Sequence, residues 1–531
     1  MRGGRRRQSA HAFQKFARTD VRGYGRLLSF ACFVCFVVEP LGPTRLHAGD
    51  QPQMGACFSR NMVSAEMGLP AAFDLDTGQN VLWTGRLGSE SHATPVVANG
   101  RILMGTNNEA PRNEHRDGDR GVLMCFDEES GAFQWQLVVP KITTSRFWDW
   151  PRAGICSTPA VEGDRVYVVS NRGEVMCLDL AGLANGNDGA FQDEARHATP
   201  ADEPVLPLAD TDADILWLFD MIQELNVRQH DSAHACILID GPFLYVNTSN
   251  GVDDTHKEIH SPDAPSLIVV EKATGRLVAV DRERIGPRIF HSTWSSPMLA
   301  EVDGQRRIFF AGGDGVIYAF EALKDIPPAG EVLGLRRVWS FDLDPTGPKE
   351  NVQQYNSNRK VSPTNVKSIP VFHDGRVYVT GGGDLWWGKN ESWLWCLNPS
   401  GSGDATTTGM VWRYRLGNHV MASPAVADGL VFAADCDGTL HCVDAATGEA
   451  CWTFEANGAF WASPFVADGK VYCATQRGWA YVFELGREQK QLHSVKLDGP
   501  VSATPVAANG RLYLATMRNL FALALATGQG E

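Results

Sequence analysis

Ala422-Ser423-Pro424-Ala425-Val426-Ala427-Asp428-Gly429-Leu430-Val431-Phe432 decides the fold. A small residue and Ser-Pro lead into an apolar run, an Asp-Gly turn and a second apolar run ending in an aromatic. The phrase recurs around Thr94-Pro95, Thr158-Pro159, Ser296-Pro297, Ser463-Pro464 and Thr504-Pro505. Ile369-Pro370 stands in the same place, and a worn copy without the proline runs from Cys236 to Tyr245. Alternating apolar residues around a tight turn read as a short antiparallel hairpin. A third strand, Thr439 to Asp444, then the turn Ala446-Thr447-Gly448 and a fourth strand carrying Trp452 complete the unit. Four strands in about forty residues make a propeller blade, which cannot bury its own apolar face alone.

Eight copies predict an all-β, eight-bladed β-propeller of four-stranded antiparallel blades. The ends explain each other. Leu520 to Leu525 is an inner strand without an outer neighbour, and Val81 to Arg86 is an outer strand with no blade before it. The N-terminal strand is therefore expected to close the last blade and hide both sheet edges. Trp135, Trp217, Trp339, Trp412 and Trp452 recur on outer strands as inter-blade wedges, with Val278 and His493 in that place in blades three and seven.

The chain of 531 residues carries a net charge of -14 and has no basic stripe, which argues against a nucleic-acid partner. Residues 1–48 read as a signal peptide. Arg2, Arg5, Arg6 and Arg7 precede the apolar run Leu27 to Val38, and Leu46-His47-Ala48 offers a small-residue cut. Residues 49–70 read as a linker and 71–531 as the propeller. The product is expected to be exported, periplasmic or secreted, monomeric, and without a transmembrane span after processing. Cys125, Cys177, Cys396 and Cys442 share one repeated slot, a small buried position on an inner strand rather than a disulfide framework.

Function is expected on the insertions of the first five blades. Three residues before each anchor proline stand His92, Cys156, Trp294, Lys367, Met421, Trp461 and Ser502, which should ring the mouth of the axis. Arg146, Trp148, Trp150 and Arg152 precede blade two, His230, Asp231 and His234 precede blade three, and Arg288, His291 and Trp294 precede blade four. Trp386 and Trp387 lie within blade five. Indole faces with Arg and Asp edges suit a carbohydrate or an extended peptide through stacking and directed hydrogen bonds. The competing reading is a set of anchors that pin the insertions. His230 with His234, and His256 with His260, have a metal-ligand spacing only if helical, and both segments read as loops, so no metal is expected. Asp210, Asp212 and Asp214 start like a calcium loop but lack its glycine and terminal glutamate.

Val443-Asp444-Ala445-Ala446-Thr447-Gly448-Glu449-Ala450-Cys451-Trp452 resembles the pyrroloquinoline quinone (PQQ) repeat, the tryptophan-docking unit of the quinoprotein alcohol dehydrogenase-like superfamily. Phe126-Asp127-Glu128-Glu129-Ser130-Gly131 with Trp135, and Phe73-Asp74-Leu75-Asp76-Thr77-Gly78 with Trp83, are similar. The long insertions resemble exported, planctomycete-type PQQ-like repeat proteins. The resemblance implies an eight-bladed propeller over residues 71–531. It covers PQQ-dependent dehydrogenases and also cofactor-free members such as the outer-membrane protein assembly lipoprotein. A dehydrogenase would carry a vicinal disulfide, a calcium held by carboxylate and amide oxygens, and an aspartate base. The Cys-Cys pair is missing here, and calcium could come from Asn250, Asp253 and Asp254, though no spacing enforces it. The expected function is a cofactor-free binding or scaffolding module at the cell envelope, for an envelope protein, a peptide or a carbohydrate. The alternative is a PQQ- and calcium-dependent oxidoreductase with Asp231 or Asp253 as base. A third option is a lyase or hydrolase on sugars around His291 and Arg288.

Overall fold

The structure is a computed structural model that describes residues 49–55 and 57–525. The expected signal peptide lies outside the described residues. Eight sheets follow one another along the chain, each a four-stranded antiparallel blade. Two blades gain a two-residue parallel addition. Leu333–Gly334 pairs with Leu277–Val280 of blade three, and Gly403–Asp404 pairs with Arg337–Asp342 of blade four. Val81–Arg86 pairs antiparallel with Asn519–Leu523, so the N-terminal strand completes the eighth blade as expected.

The repeated Ser/Thr-Pro phrase has a structural cause. The hydroxyl before the anchor proline accepts a backbone N–H from the preceding blade. Thr94 N–H donates to Thr158 Oγ1 (2.9 Å), Ile369 to Ser423 Oγ (2.8 Å), Ser423 to Ser463 Oγ (3.0 Å) and Ser463 to Thr504 Oγ1 (3.1 Å). Thr504 N–H then donates to Thr94 Oγ1 at 3.3 Å, which carries this belt across the seam between the last blade and the first.

The turn motif is explained in the same way. Asp444 Oδ1 accepts the N–H of Ala446 and Thr447 (2.9 and 2.8 Å), and Gly448 takes φ 76°. The bare face of that glycine receives the preceding blade's tryptophan. A Cβ on Gly448 would stand 2.7 Å from the Trp412 ring, and one on Gly275 2.4 Å from Trp217. Four of the indole N–H groups also donate to a carbonyl of the next blade: Trp135 to Leu180 O (2.9 Å), Trp217 to Lys272 O (3.2 Å), Trp412 to Ala445 O and Trp452 to Gly486 O (both 3.0 Å). His493 takes over this role in blade seven, 2.8 Å from Phe73 O. Cys125, Cys177, Cys396 and Cys442 are buried on third strands, and the ten cysteines described are free thiols.

Residues 50–55 and 57–66, within the segment read as a linker, cross the axis and meet the inner strands in blade order. Gln51 bridges Val97, Pro52 O accepts from Val161, and Arg60 donates to Cys236 O and Ile237 O. Phe58 O accepts from Leu299 and Ser59 O from Phe372. Asn61 pairs with Val426, Met62 O accepts from Val466, and Glu66 accepts from Asn509 and Gly510. These contacts satisfy inner-strand N–H and C=O groups that would otherwise face a water-filled channel. The segment is an axial plug.

The insertion Ala181–Asp214 is docked rather than loose. His197 Nε2 lies 3.1 Å from the buried Glu174 carboxylate, and buried Arg116 pairs with Asp212. Burial pushes the Glu174 carboxyl up, but His197 and Arg172 more than offset this, leaving it below the ordinary glutamate value. Stability from such a depressed acid is fully present above its unfolded pKa of about 4.3 and is lost as pH falls through the folded value. Glu174→Ala should therefore flatten the loss of melting temperature below about pH 4 and speed limited proteolysis within 183–210 at neutral pH. An unchanged digestion rate would mean the insertion is held elsewhere.

Candidate functional site

The axial mouth opposite the plug is a funnel of about 520 Å³ with Met54 of the plug at its base. The anchor-proline alignment located its wall: His92, Cys156, Trp294, Lys367, Met421, Trp461 and Ser502 all line it. Trp150, Asp231, His234, His291, Trp386 and Trp387 join them from the insertions. The aromatic wall is continuous, since Trp386 lies edge-on to both Trp294 (5.8 Å) and Trp461 (6.2 Å). Lys367 Nζ stands 4.1 Å over the Trp294 ring.

Other expected residues sit behind this wall or outside it. Arg146 stacks over Trp150 at 4.4 Å, and Arg152 reaches Glu90 at 3.6 Å on the rim. Trp148 packs against His260 and Arg228 rather than facing the funnel. Arg288 is bound to Asp314 (2.7 Å) and Tyr318 (2.9 Å) and borders a separate cleft. Both Trp148 and Arg288 follow the anchor reading. Asp149 is an anchor too, bound by Lys141 and by Asn171 at 2.7 Å.

Three connections converge on the funnel wall through a small irregular sheet. Gln229 bridges Asn250, Gly251 bridges Ser292, and Val252 bridges Ile259. The 249–252 segment thus lies between the segments that carry His230 and His291, while the Val252–Ile259 turn carries His256. Close approach requires Gly251, because a Cβ there would lie 2.6 Å from His230 Cβ and 2.7 Å from His291 O. His256 (φ 57°) and Asp231 (φ 64°) both hold left-handed backbone, a local strain that the surrounding bridges sustain.

The three imidazoles meet. His230 Nε2 is 3.0 Å from His256 Nε2, and the facing ring nitrogens of His230, His256 and His291 lie within 4.8 Å of one another. His230 and His291 are fully buried, and His256 is nearly so. His230 Nδ1 meets Val252 O at 2.8 Å, and His291 Nδ1 meets Asp384 Oδ2 at 3.0 Å. Asp384 also pairs with Lys367 (3.0 Å) and accepts the N–H of Trp386 and Trp387. Burial pushes its carboxyl up, yet His291 and Lys367 hold it well below the ordinary aspartate value. Burial lowers His230, to about 2, and His256 as well, reinforced by neighbouring histidines. Asp231, pushed up by burial, lies 3.6 Å from His230 Nε2 and 3.7 Å from His291 Nε2 on the funnel side.

Asp384 and the grouping of His256 with His230 and His291 escaped the sequence reading. A signal existed only in their shared placement on insertions that enter one mouth.

The residues present do not make the calcium–quinone set that the resemblance implies. Asn250 spends its amide on Arg228 N–H and Ser261 O, Asp253 caps its own turn, and Asp254 accepts from Ser145. Cys156 and Cys236 face the funnel as separate free thiols. Among the described residues no helix is long and apolar enough to cross a membrane.

Comparison with known proteins gives one family. The family model described as outer membrane protein assembly factor BamB matches residues 119–283 and 401–530. No curated protein matches the chain. Similar solved structures include BamB from Moraxella catarrhalis, 11% identical over 85% of this chain and 99% of that one, with a TM-score of 0.49. The computationally designed Ika8 protein is 10% identical over 84% and 99%, TM-score 0.46. Quinohemoprotein alcohol dehydrogenase from Comamonas testosteroni is 12% identical over 91% and 81%, TM-score 0.47. With eight PQQ-like blades and a family model matching more than half of its length, the chain belongs to the family described as outer membrane protein assembly factor BamB.

Proposed function

We propose that this protein is an exported binding module of the cell envelope that takes a carbohydrate or peptide ligand in its axial funnel. The observation that carries the reading is the funnel wall, where Trp150, Trp294, Trp386 and Trp461 surround a cavity of about 520 Å³. Indole faces stack on sugar rings or apolar side chains, while the Lys367 and Asp231 edges give direction to hydroxyls or backbone amides. Export rests on the basic, apolar, small-residue order of residues 2–48. The envelope assignment draws support from the family description, which names outer-membrane protein assembly.

Soluble peptidoglycan fragments, which combine sugar and peptide, should change the tryptophan fluorescence of the purified protein saturably. Trp461→Ala and Trp150→Ala should each weaken binding about tenfold without lowering the melting temperature. No saturable change with either ligand class would overturn the reading. Saturable quinone absorbance and dye reduction on adding PQQ with calcium would replace it with the oxidoreductase alternative.

A further inference from the structure

We propose that His230, His256 and His291 form a binding site for one divalent transition-metal ion of the zinc class, set in the wall of the funnel with its open side toward Asp231. Tetrahedral coordination at about 2.0–2.1 Å places ligand nitrogens about 3.3 Å apart. The three ring nitrogens span 3.0 Å to at most 4.8 Å, a spread that small ring movements close.

Three further observations point to an ion rather than to a packed histidine cluster. His291 Nε2 is buried and has no hydrogen-bond partner among the described residues, although it faces the other two rings. The Nδ1 side of the ring is taken by Asp384 at 3.0 Å, and the nearest carboxylate to Nε2 is Asp231 at 3.7 Å, on the funnel side. Two of the rings are also oriented from behind: His230 by Val252 O and His291 by the Asp384 carboxylate. Outer partners of this kind fix the tautomer and raise ligand basicity at metal-bound histidines. Finally, the left-handed backbone at Asp231 and His256 maintains this convergence at a conformational cost.

The donor set selects among ions. Three imidazole nitrogens favour zinc, iron(II), cobalt(II), nickel or copper over calcium or magnesium, which prefer oxygen. The fourth position faces the funnel beside Asp231, so a hydroxyl or carboxylate of a funnel ligand completes the coordination. This last step rests on the binding role proposed above. Ion uptake itself does not, and is measured with the funnel ligand absent.

The test uses the purified processed chain, stripped with chelator and dialysed against zinc or cobalt(II). Metal analysis should find one ion per chain, and the cobalt form should show the intense visible absorption of tetrahedral nitrogen coordination. His256→Asn, which tolerates the left-handed backbone, should lower affinity more than about 100-fold. Asp384→Asn should lower it about 10- to 100-fold. His260→Ala should leave uptake unchanged, and saturating zinc should raise the melting temperature of the unsubstituted chain but not of His256→Asn. Failure of the unsubstituted chain to take up stoichiometric metal overturns the proposal. So does uptake that is unchanged in a His256→Asn chain whose metal-free melting temperature is native. Fragment binding with no metal uptake would leave the funnel reading intact and reject the ion alone.

Discussion

Deleting residues 71–90 is expected to abolish the single cooperative unfolding transition of the propeller. Those residues contain Val81–Arg86, which covers the outer edge of Asn519–Leu523 through the pairs Trp83–Ala522, Thr84–Phe521, Gly85–Leu520 and Arg86–Asn519. They also supply the wedge between the last blade and the first. Trp83 lies on the bare face of Gly131, where a Cβ would be 2.5 Å from the ring, and its indole N–H donates to Glu128 O at 3.1 Å. Trp83→Ala alone should cost about 3 kcal/mol, the low end for a large aromatic because this ring is only half-buried. The deletion adds a lost ladder and an exposed sheet edge, so the ring opens at its seam and the free edge promotes aggregation. Differential scanning calorimetry reads the result directly. A deletion chain that still melts in one transition at the native temperature would show that closure contributes nothing.

Blade number, closure and the funnel mouth were legible in the sequence because each is written in a repeat. The Ser/Thr-Pro phrase recurs since the hydroxyl takes a neighbouring blade's backbone N–H, as at Thr158, Ser423, Ser463 and Thr504, and the turn glycine recurs since a tryptophan docks on its bare face, as at Gly131, Gly275 and Gly448. The histidine cluster is written once, over three connections that carry His230, His256 and His291. The visible i,i+4 spacings mislead there: His234 turns to Trp294 at 4.4 Å and His260 packs on Trp148, each away from its sequence partner. Arg288 and Trp148 show the opposite case. Both residue types suit a ligand, but an acid at position 314 and a cation at position 228 bind them first. The plug was illegible for a different reason. Its contacts are largely between backbone groups and strand edges, and such bonds leave no periodicity in side-chain chemistry.

Arg60→Ala is expected to cost about 3–5 kcal/mol and to release the plug from the axis. Arg60 is fully buried and has no carboxylate partner among the described residues. Its guanidinium instead donates to Met54 O, Cys236 O, Ile237 O and Pro297 O at 3.0–3.1 Å, joining the plug to blades three and four. Removing it strands several buried carbonyls at once, each of which had exchanged water for a charged donor. Gly55 reinforces the arrangement: it sits at φ 74° so closely against the Arg60 backbone that a Cβ would meet it at 2.7 Å. Because Met54 forms part of the funnel base, loosening Arg60 also turns a blind-ended cavity toward an open channel. Arg60→Met, which keeps most of the volume without the donors, should recover part of the packing loss but not the hydrogen bonds. Hydrogen exchange should show faster exchange at the Gln51, Val63 and Ser64 amides, which bond to Val97, to Asn61 and to Val466, in both variants. Native melting together with native protection of these amides would mean that the blades hold the plug without Arg60, and that the base of the funnel is set by the inner strands alone.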